Sequence, residues 1–152
     1  MSELNSIEKG KQLPERVFEI SRKDLLTYAD ASGDQNPIHQ DEEFAKQVGL
    51  PNVIAHGMYT MALAGRYVSE FLGSQARIEE FGVRFTKPVV VEATHPARVT
   101  FNATITEFEH GKGRIEISAM CNDQKVLGQA RALFSLRSEE HTSELQSLRH
   151  LV

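Results

Sequence analysis

The segment from His56 to Gly73 restricts the possible folds of this 152-residue chain more than any other feature. Its apolar residues recur at the three- and four-residue spacing of one long helix: Met58, Met61, Ala62, Gly65, Val68, Phe71 and Leu72. Four segments after it alternate apolar and polar residues as strands do: 78–85, 99–106, 115–119 and 126–136. One long helix followed by strands joined by turns predicts an α+β arrangement, in which an antiparallel sheet curls around the helix.

The residues before the long helix predict a strand and two shorter helices. Residues 16–20 alternate as a short strand, and Ser21 with Asp24 forms a capping-box pattern that opens a helix ending near Gly33. The acidic run 41–43 is typical of the first turn of another helix, which residues 49–51 would end. The loop between these two helices is therefore held at both ends.

Composition favours one globular domain and excludes several classes of protein. The chain is 40% hydrophobic and 25% charged, and no apolar run is long enough to cross a bilayer. A net charge of -4 argues against nucleic acid as the main partner. The first residues lack a signal-peptide pattern, so we expect a cytoplasmic protein. Cys121 continues a strand pattern and is predicted to be a buried thiol rather than a nucleophile.

The loop from Gly33 to His39 carries a candidate acid/base pair. Pro37 fixes its own φ and pushes Asn36 toward extended geometry, so the path from Asp34 to His39 is stiff. Because a helix begins just after His39, the partial positive charge of its N-terminus favours a neutral imidazole. The same residue types are also common in plain turns with a helix-capping role. Local chemistry alone leaves both interpretations open.

Three segments together resemble a known family. The first is Gly33-Asp34-x-Asn36-Pro37-Ile38-His39 with Ala45 six residues later, which is similar to the hydratase motif of the MaoC-like family. The others are Ile54-Ala55-His56-Gly57-Met58, before the long helix, and Val83-Arg84-Phe85-Thr86-Lys87-Pro88-Val89, after it. The resemblance covers most of residues 10–136. Within the family, the pattern most resembles the B-type catalytic subunits of the mycolic-acid 3-hydroxyacyl-ACP dehydratases.

This resemblance implies a fold, a reaction and a set of site residues. The fold is the hot-dog fold, usually a homodimer or a heterodimer with a related subunit. The reaction is reversible hydration of a trans-2-enoyl thioester of CoA or ACP to the (R)-3-hydroxyacyl thioester, without a cofactor or a metal. Asp34 and His39 would activate the water, and the Gly57 N–H would stabilise the oxyanion. Asn36 and His56 would hold the loop or contact substrate.

Several alternatives remain open at this stage. A metal site from Asp34, His39 and Asp41 would lack a second histidine. A hot-dog thioesterase would share fold and substrates but would not need the acid/base loop, and a non-catalytic acyl-binding subunit would not need the intact pair. Arg84 and Lys87 could meet carrier phosphates or simply be solvated.

The last sixteen residues have a different character from the rest. Residues 137–147 resemble the translation of a common sequencing-library adapter, read in one frame. We therefore expect a domain at 1–136 and a non-native tail at 137–152, with the original C-terminus lost near Leu136.

Overall fold

The computed structural model describes residues 6–137, which form one antiparallel sheet and three α-helices. The chain runs β1 (Arg16–Ile20), α1 (Arg22–Ser32), a 3-10 turn (Pro37–His39), α2 (Glu42–Gln47) and α3 (Gly57–Leu72). A second 3-10 turn (Gly73–Gln75) leads into β2 (Ala76–Phe85), β3 (Ala97–Glu109), β4 (Lys112–Cys121) and β5 (Gln124–Leu136). The predicted α+β class and hot-dog arrangement are confirmed. The predicted tail lies outside the described residues, apart from Arg137.

Both shorter helices begin as their sequences predict. At α1 the Ser21 hydroxyl accepts from the Asp24 N–H and the Asp24 carboxylate accepts from the Ser21 N–H, which is a complete capping box. Gly33 ends α1 with a φ of 84°, a left-handed conformation that glycine adopts without strain. At α2 the Asp41 carboxylate accepts from the Phe44 N–H. These caps fix the two ends of the loop that carries Asp34.

The long helix has the predicted bounds, but the apolar residues of its first half are not the ones that it buries. Met58 is 58% exposed and Ala62 is also exposed. The buried face instead consists of Thr60, Leu63, Ala64, Tyr67, Val68, Phe71 and Leu72. Spacing by apolar residues alone missed Thr60 and Tyr67, whose polar atoms are compatible with burial. The Tyr67 hydroxyl donates to the Pro14 carbonyl at 2.8 Å, and burial raises the pKa of this tyrosine to about 12.

The sheet packs its inner face against this helix. Its strand order is β1-β3-β4-β5-β2, with every neighbouring pair antiparallel. Tyr67 of α3 contacts Phe101 of β3, with ring centroids 5.8 Å apart, and Phe18 of β1 meets the same ring at 5.6 Å. Helix and strands share one hydrophobic core. Strands β1 and β2 form the two edges, so β2 has a row of backbone groups open to another strand.

Cys121 and the lengths of the helices bear on two further predictions. Cys121 is a buried free cysteine, and burial raises the pKa of its thiol, as expected of a structural rather than a nucleophilic residue. Within residues 6–137, no helix combines the length and the apolar character needed to cross a membrane.

Candidate active site

The loop between α1 and α2 is held by a chain of short-range hydrogen bonds. The Ser32 hydroxyl accepts from the Asp34 N–H at 3.2 Å, and Asp34 Oδ1 accepts from the Asn36 N–H at 3.1 Å. Asn36 Oδ1 in turn accepts from the Ile38 N–H at 3.2 Å and caps the 3-10 turn. The side chain of Asn36 thus makes a hydrogen bond that holds the loop, which is one of the two roles predicted for it. The other carboxylate oxygen of Asp34 stays free to face His39.

Asp34 and His39 meet in a defined orientation. The His39 ring is buried, whereas the side chain of Asp34 is 52% exposed, and 3.9 Å separates His39 Nε2 from Asp34 Oδ2. His39 Nδ1 lies 2.7 Å from the Ile54 carbonyl, which can only accept, so Nδ1 carries the hydrogen. When the ring carries no second hydrogen, Nε2 has a lone pair on the side of the carboxylate. The separation is too long for a direct hydrogen bond, but one water lying beside the two atoms could reach both.

His56 lies directly behind this pair. It is 1% exposed, and its ring stacks on the ring of His39 with centroids 3.8 Å apart and planes inclined by 25°. Its Nε2 lies 3.1 Å from the Asp34 carbonyl oxygen. Burial lowers the pKa of His56, an effect that the hydrogen bond to Asp34 opposes and that the charge of His39 reinforces. The ring is therefore held neutral in the interior.

Gly57 opens α3 beside the same group of side chains. His56 is the N-cap residue and provides no side-chain cap, and within residues 6–137 neither the Gly57 nor the Met58 N–H has a hydrogen-bond partner. Unpaired donors at the start of a long helix, together with its partial positive charge, favour a negatively charged oxygen. A Cβ at residue 57 would lie 3.0 Å from Phe85 Cε1, so the backbone here is closely packed by an aromatic ring.

An apolar cavity adjoins Gly57. Its volume is about 320 Å³, and its lining includes Ile54, Gly57, Thr60, Phe85, Val89 and Leu127, with Lys87 among the residues around it. The pair and the cavity meet through residues 54–57, since the Ile54 carbonyl orients His39 and Gly57 lines the cavity. A larger concavity of about 1020 Å³ is lined by Glu79, Glu107 and Glu109 among others, and none of the site residues takes part in it. Of these two cavities, only the smaller is lined by a candidate site residue, Gly57.

The same group of side chains contains atoms that can bind a metal ion. Asp34, His39 and His56 offer ligand atoms that all lie within 4.8 Å of one another. Asp41 is not in that group and caps α2 instead. A metal bound by imidazole lies near the plane of the ring, and two stacked rings have nearly parallel planes that do not converge on one ion. Binding of one ion by both rings would require one of them to leave the stack.

The structure thus brings the predicted residues Asp34, His39, His56 and Gly57 together. Sequence reasoning missed the Ile54 carbonyl and the stacking of the two histidines. A backbone carbonyl leaves no residue-type signal, and a ring stack between residues far apart in the chain depends on tertiary structure. Phe85 belongs to one of the motif segments, but its packing on Gly57 could not be predicted from the sequence either.

Comparison with known proteins agrees on one family. A family described as "MaoC like domain" matches residues 4–120. The chain is 35% identical over 111 residues to 3-hydroxyacyl-thioester dehydratase Y of Mycobacterium tuberculosis, which is 66% of this chain and 38% of that protein. It is 30% identical over 128 residues to 3-hydroxybutyryl-CoA dehydratase of Methylorubrum extorquens, which is 84% of this chain and 80% of that protein.

Solved structures agree on the fold. A MaoC-like dehydratase superposes with a TM-score of 0.81 at 34% identity, over 86% of this chain and 41% of that one. The ChsH1–ChsH2 complex from Mycobacterium tuberculosis superposes with a TM-score of 0.77 at 22% identity, over 87% of this chain and 100% of the matched chain. The chain spans well under half of dehydratase Y. Its motifs, its fold and these matches all lead to the same conclusion: the chain belongs to the MaoC-like domain family.

Proposed function

We propose that this protein is a hydro-lyase that adds water reversibly to a trans-2-enoyl thioester, giving the (R)-3-hydroxyacyl thioester. The observation that carries the proposal is the 3.9 Å approach of His39 Nε2 to Asp34 Oδ2, with the start of α3 at Gly57 directly after the His56 ring that stacks on His39. Relatives named as 3-hydroxyacyl-thioester and 3-hydroxybutyryl-CoA dehydratases support it. Because the enzyme catalyses both directions, metabolism decides between hydration and dehydration.

The pair can orient one water molecule. A water oxygen about 2.8–3.0 Å from both His39 Nε2 and Asp34 Oδ2 would donate one hydrogen to each. As the water oxygen bonds to C3, the pair takes up one proton, with Asp34 as the principal acceptor. The electrons of the double bond move onto the thioester oxygen and form an enolate. The pair then returns the proton to C2, so that the net change is the addition of water.

The enolate requires a donor at the thioester oxygen. The Gly57 N–H has no partner within the described part of the chain, and it lies at the positive end of a sixteen-residue helix. Such preorganised donors act on charge that develops in the transition state. Asn36 remains a candidate for substrate contact as well as for holding the loop.

The apolar cavity next to Gly57 fits an acyl chain. Its lining is mainly apolar, and Lys87 lies at its edge, where it could meet a charged carrier group. Both CoA and ACP present the same pantetheine thioester to such a site. We propose an acyl thioester of one of these carriers as the substrate, and no cofactor.

The unpaired edge of β2 supports a dimer. A second hot-dog subunit could continue the sheet there, and a chain of this fold is present in the ChsH1–ChsH2 complex. We propose a homodimer; the alternative is a heterodimer in which this chain is the catalytic subunit. We also propose that residues 1–136 are the hydratase domain of a cytoplasmic protein and that residues 137–152 have no role in catalysis.

One assay separates this function from its closest alternative. The protein is incubated with a short trans-2-enoyl thioester of CoA and, in parallel, of ACP, while the conjugated enoyl absorbance and free thiol are both measured. We expect the absorbance to fall without thiol release, and an (R)-specific 3-hydroxyacyl dehydrogenase to oxidise the product. Thiol release without hydration would identify a thioesterase instead. If neither the enoyl absorbance nor the free thiol changed with either carrier, the result would contradict the proposal.

A further inference from the structure

His56 links three parts of the site that are separate in the sequence. Its backbone forms the N-cap of α3, its Nε2 lies 3.1 Å from the carbonyl oxygen of Asp34, and its ring stacks on His39. On its other side, the ring of Tyr28 contacts it edge-on, with centroids 4.7 Å apart. His56 is 1% exposed and does not line the apolar cavity. It therefore touches the acid/base pair from behind, away from the substrate.

The hydrogen bonds of the two histidines require opposite tautomers. The Asp34 carbonyl can only accept, so His56 carries its hydrogen on Nε2. The Ile54 carbonyl can only accept, so His39 carries its hydrogen on Nδ1. Each ring is thus fixed by one backbone carbonyl and by the face of the other ring. In this arrangement the lone pair of His39 Nε2 is the one on the side of the Asp34 carboxylate.

The second ring nitrogen of His56 is Nδ1. Nδ1 is buried and lacks a hydrogen-bond partner among residues 6–137, so a proton placed there would have no acceptor. Burial lowers the pKa of His56 accordingly. Two protonated imidazoles in one stack would repel each other. A neutral His56 therefore allows the adjacent ring of His39 to take up and release a proton.

We propose that His56 is a positioning residue: it holds the Asp34 backbone against α3 and provides the ring face that orients His39. This inference rests on the proposed hydratase function. It differs from a substrate-binding role, because the side chain is enclosed. It also differs from a purely structural role, because the groups that it orients are the reacting pair.

Two substitutions separate the two contacts. His56→Gln keeps a side-chain N–H that can reach the Asp34 carbonyl but loses the aromatic face. His56→Phe keeps the face but loses the donor. We expect each to lower kcat by about tenfold and His56→Ala by about 100-fold, with KM changed less than about threefold, since misplacing a reacting group costs rate rather than binding. The exposed His95→Gln variant is the matched control.

Nitrogen-15 NMR of the histidine rings provides a readout that does not depend on turnover. In the wild type we expect His56 protonated on Nε2 and His39 on Nδ1, with the ring protons of His39 shifted upfield by the stack. His56→Phe should preserve this shift, whereas His56→Gln should abolish it. A His56 protonated on Nδ1, or a His39 spectrum that both variants leave unchanged, would overturn the inference.

The hydratase function and the positioning role of His56 can be contradicted by different results. A wild type with the expected tautomers and stack but no hydration would contradict the proposed function and leave the positioning geometry intact. An active wild type whose kcat per folded molecule is unchanged in His56→Ala would do the reverse. Circular dichroism and thermal melts establish the folded fraction of each variant.

Discussion

In the proposed mechanism, Gly57 is the residue at which the substrate comes closest to the backbone. A Cβ there would lie 3.0 Å from the ring of Phe85, which is 51% exposed and lines the same cavity. We expect Gly57→Ala to push this ring into the cavity and to lower kcat/KM by about tenfold or more, because the thioester oxygen can no longer reach the helix N-terminus. The measurement is steady-state hydration of a trans-2-enoyl thioester.

A second glycine of the same helix serves as the control. A Cβ at Gly65 would lie 4.0 Å from Phe81, an ordinary van der Waals contact. Gly65→Ala should leave kcat/KM unchanged and raise the free energy of unfolding by up to about 1 kcal/mol, because alanine is the better helix former. If Gly65→Ala reduced activity as much as Gly57→Ala, the effect would belong to the helix and not to the cavity.

His56 also predicts how stability depends on pH. Burial lowers the pKa of His56 below its usual 6.5. As the pH falls below 6.5, the unfolded chain therefore binds a proton that the folded protein resists, and the free energy of unfolding decreases. We expect urea denaturation at pH 7.5 and pH 5.5 to show this loss, and His56→Gln to reduce it. An equal loss in wild type and His56→Gln would contradict the buried neutral ring.

Among the elements, α1 could be predicted from sequence most fully. Its start depends on Ser21 and Asp24 and its end on Gly33, so local chemistry decides both boundaries. The first and last residues of α3 could also be predicted from local sequence. The buried face of α3 could not be predicted in this way, because it depends on how the helix packs against the sheet. Thr60 and Tyr67 are buried there, whereas Met58 is exposed. Apolar spacing cannot distinguish a methionine in the core from one at the surface.

The capping box of α1 predicts a stability effect. Ser21→Ala removes the oxygen that accepts from the Asp24 N–H, leaving a helix donor unpaired. We expect a loss of about 1 kcal/mol in the free energy of unfolding and a decrease of about 3 °C in Tm. Ser69→Ala, on the exposed side of α3, is the control and should be nearly neutral. A neutral Ser21→Ala variant would show that the cap does not stabilise the helix.

At the scale of the whole molecule, the site exists only after folding. The loop supplies Asp34 and His39, the segment before α3 supplies the Ile54 carbonyl and His56, and β2 supplies Phe85. Most of these residues could be identified from the sequence, because they lie in the three segments that resemble the family. It could not give the opposite histidine tautomers or the 3.9 Å gap, which depend on how separate segments pack.

The extent of the working domain is a further prediction. Removing residues 137–152 should leave kcat and KM unchanged, because none of the proposed site residues lies there. Sedimentation should give about twice the 17.0 kDa mass of the full chain, as expected if β2 pairs with a second copy. Loss of activity on truncation would contradict the proposed domain limit, and a monomer that is fully active would contradict the proposed dimer.

The central claim is that Asp34 and His39 together activate water. Its most direct measurement is kcat for hydration of a trans-2-enoyl thioester by the wild type, Asp34→Asn, His39→Ala and the control Asp30→Asn. Asp30 is an exposed carboxylate of α1 that accepts from Gln35 Nε2. We predict a loss of about 10²-fold or more for each of the first two variants, and less than about twofold for Asp30→Asn. An active wild type whose kcat survives either Asp34→Asn or His39→Ala would contradict the claim.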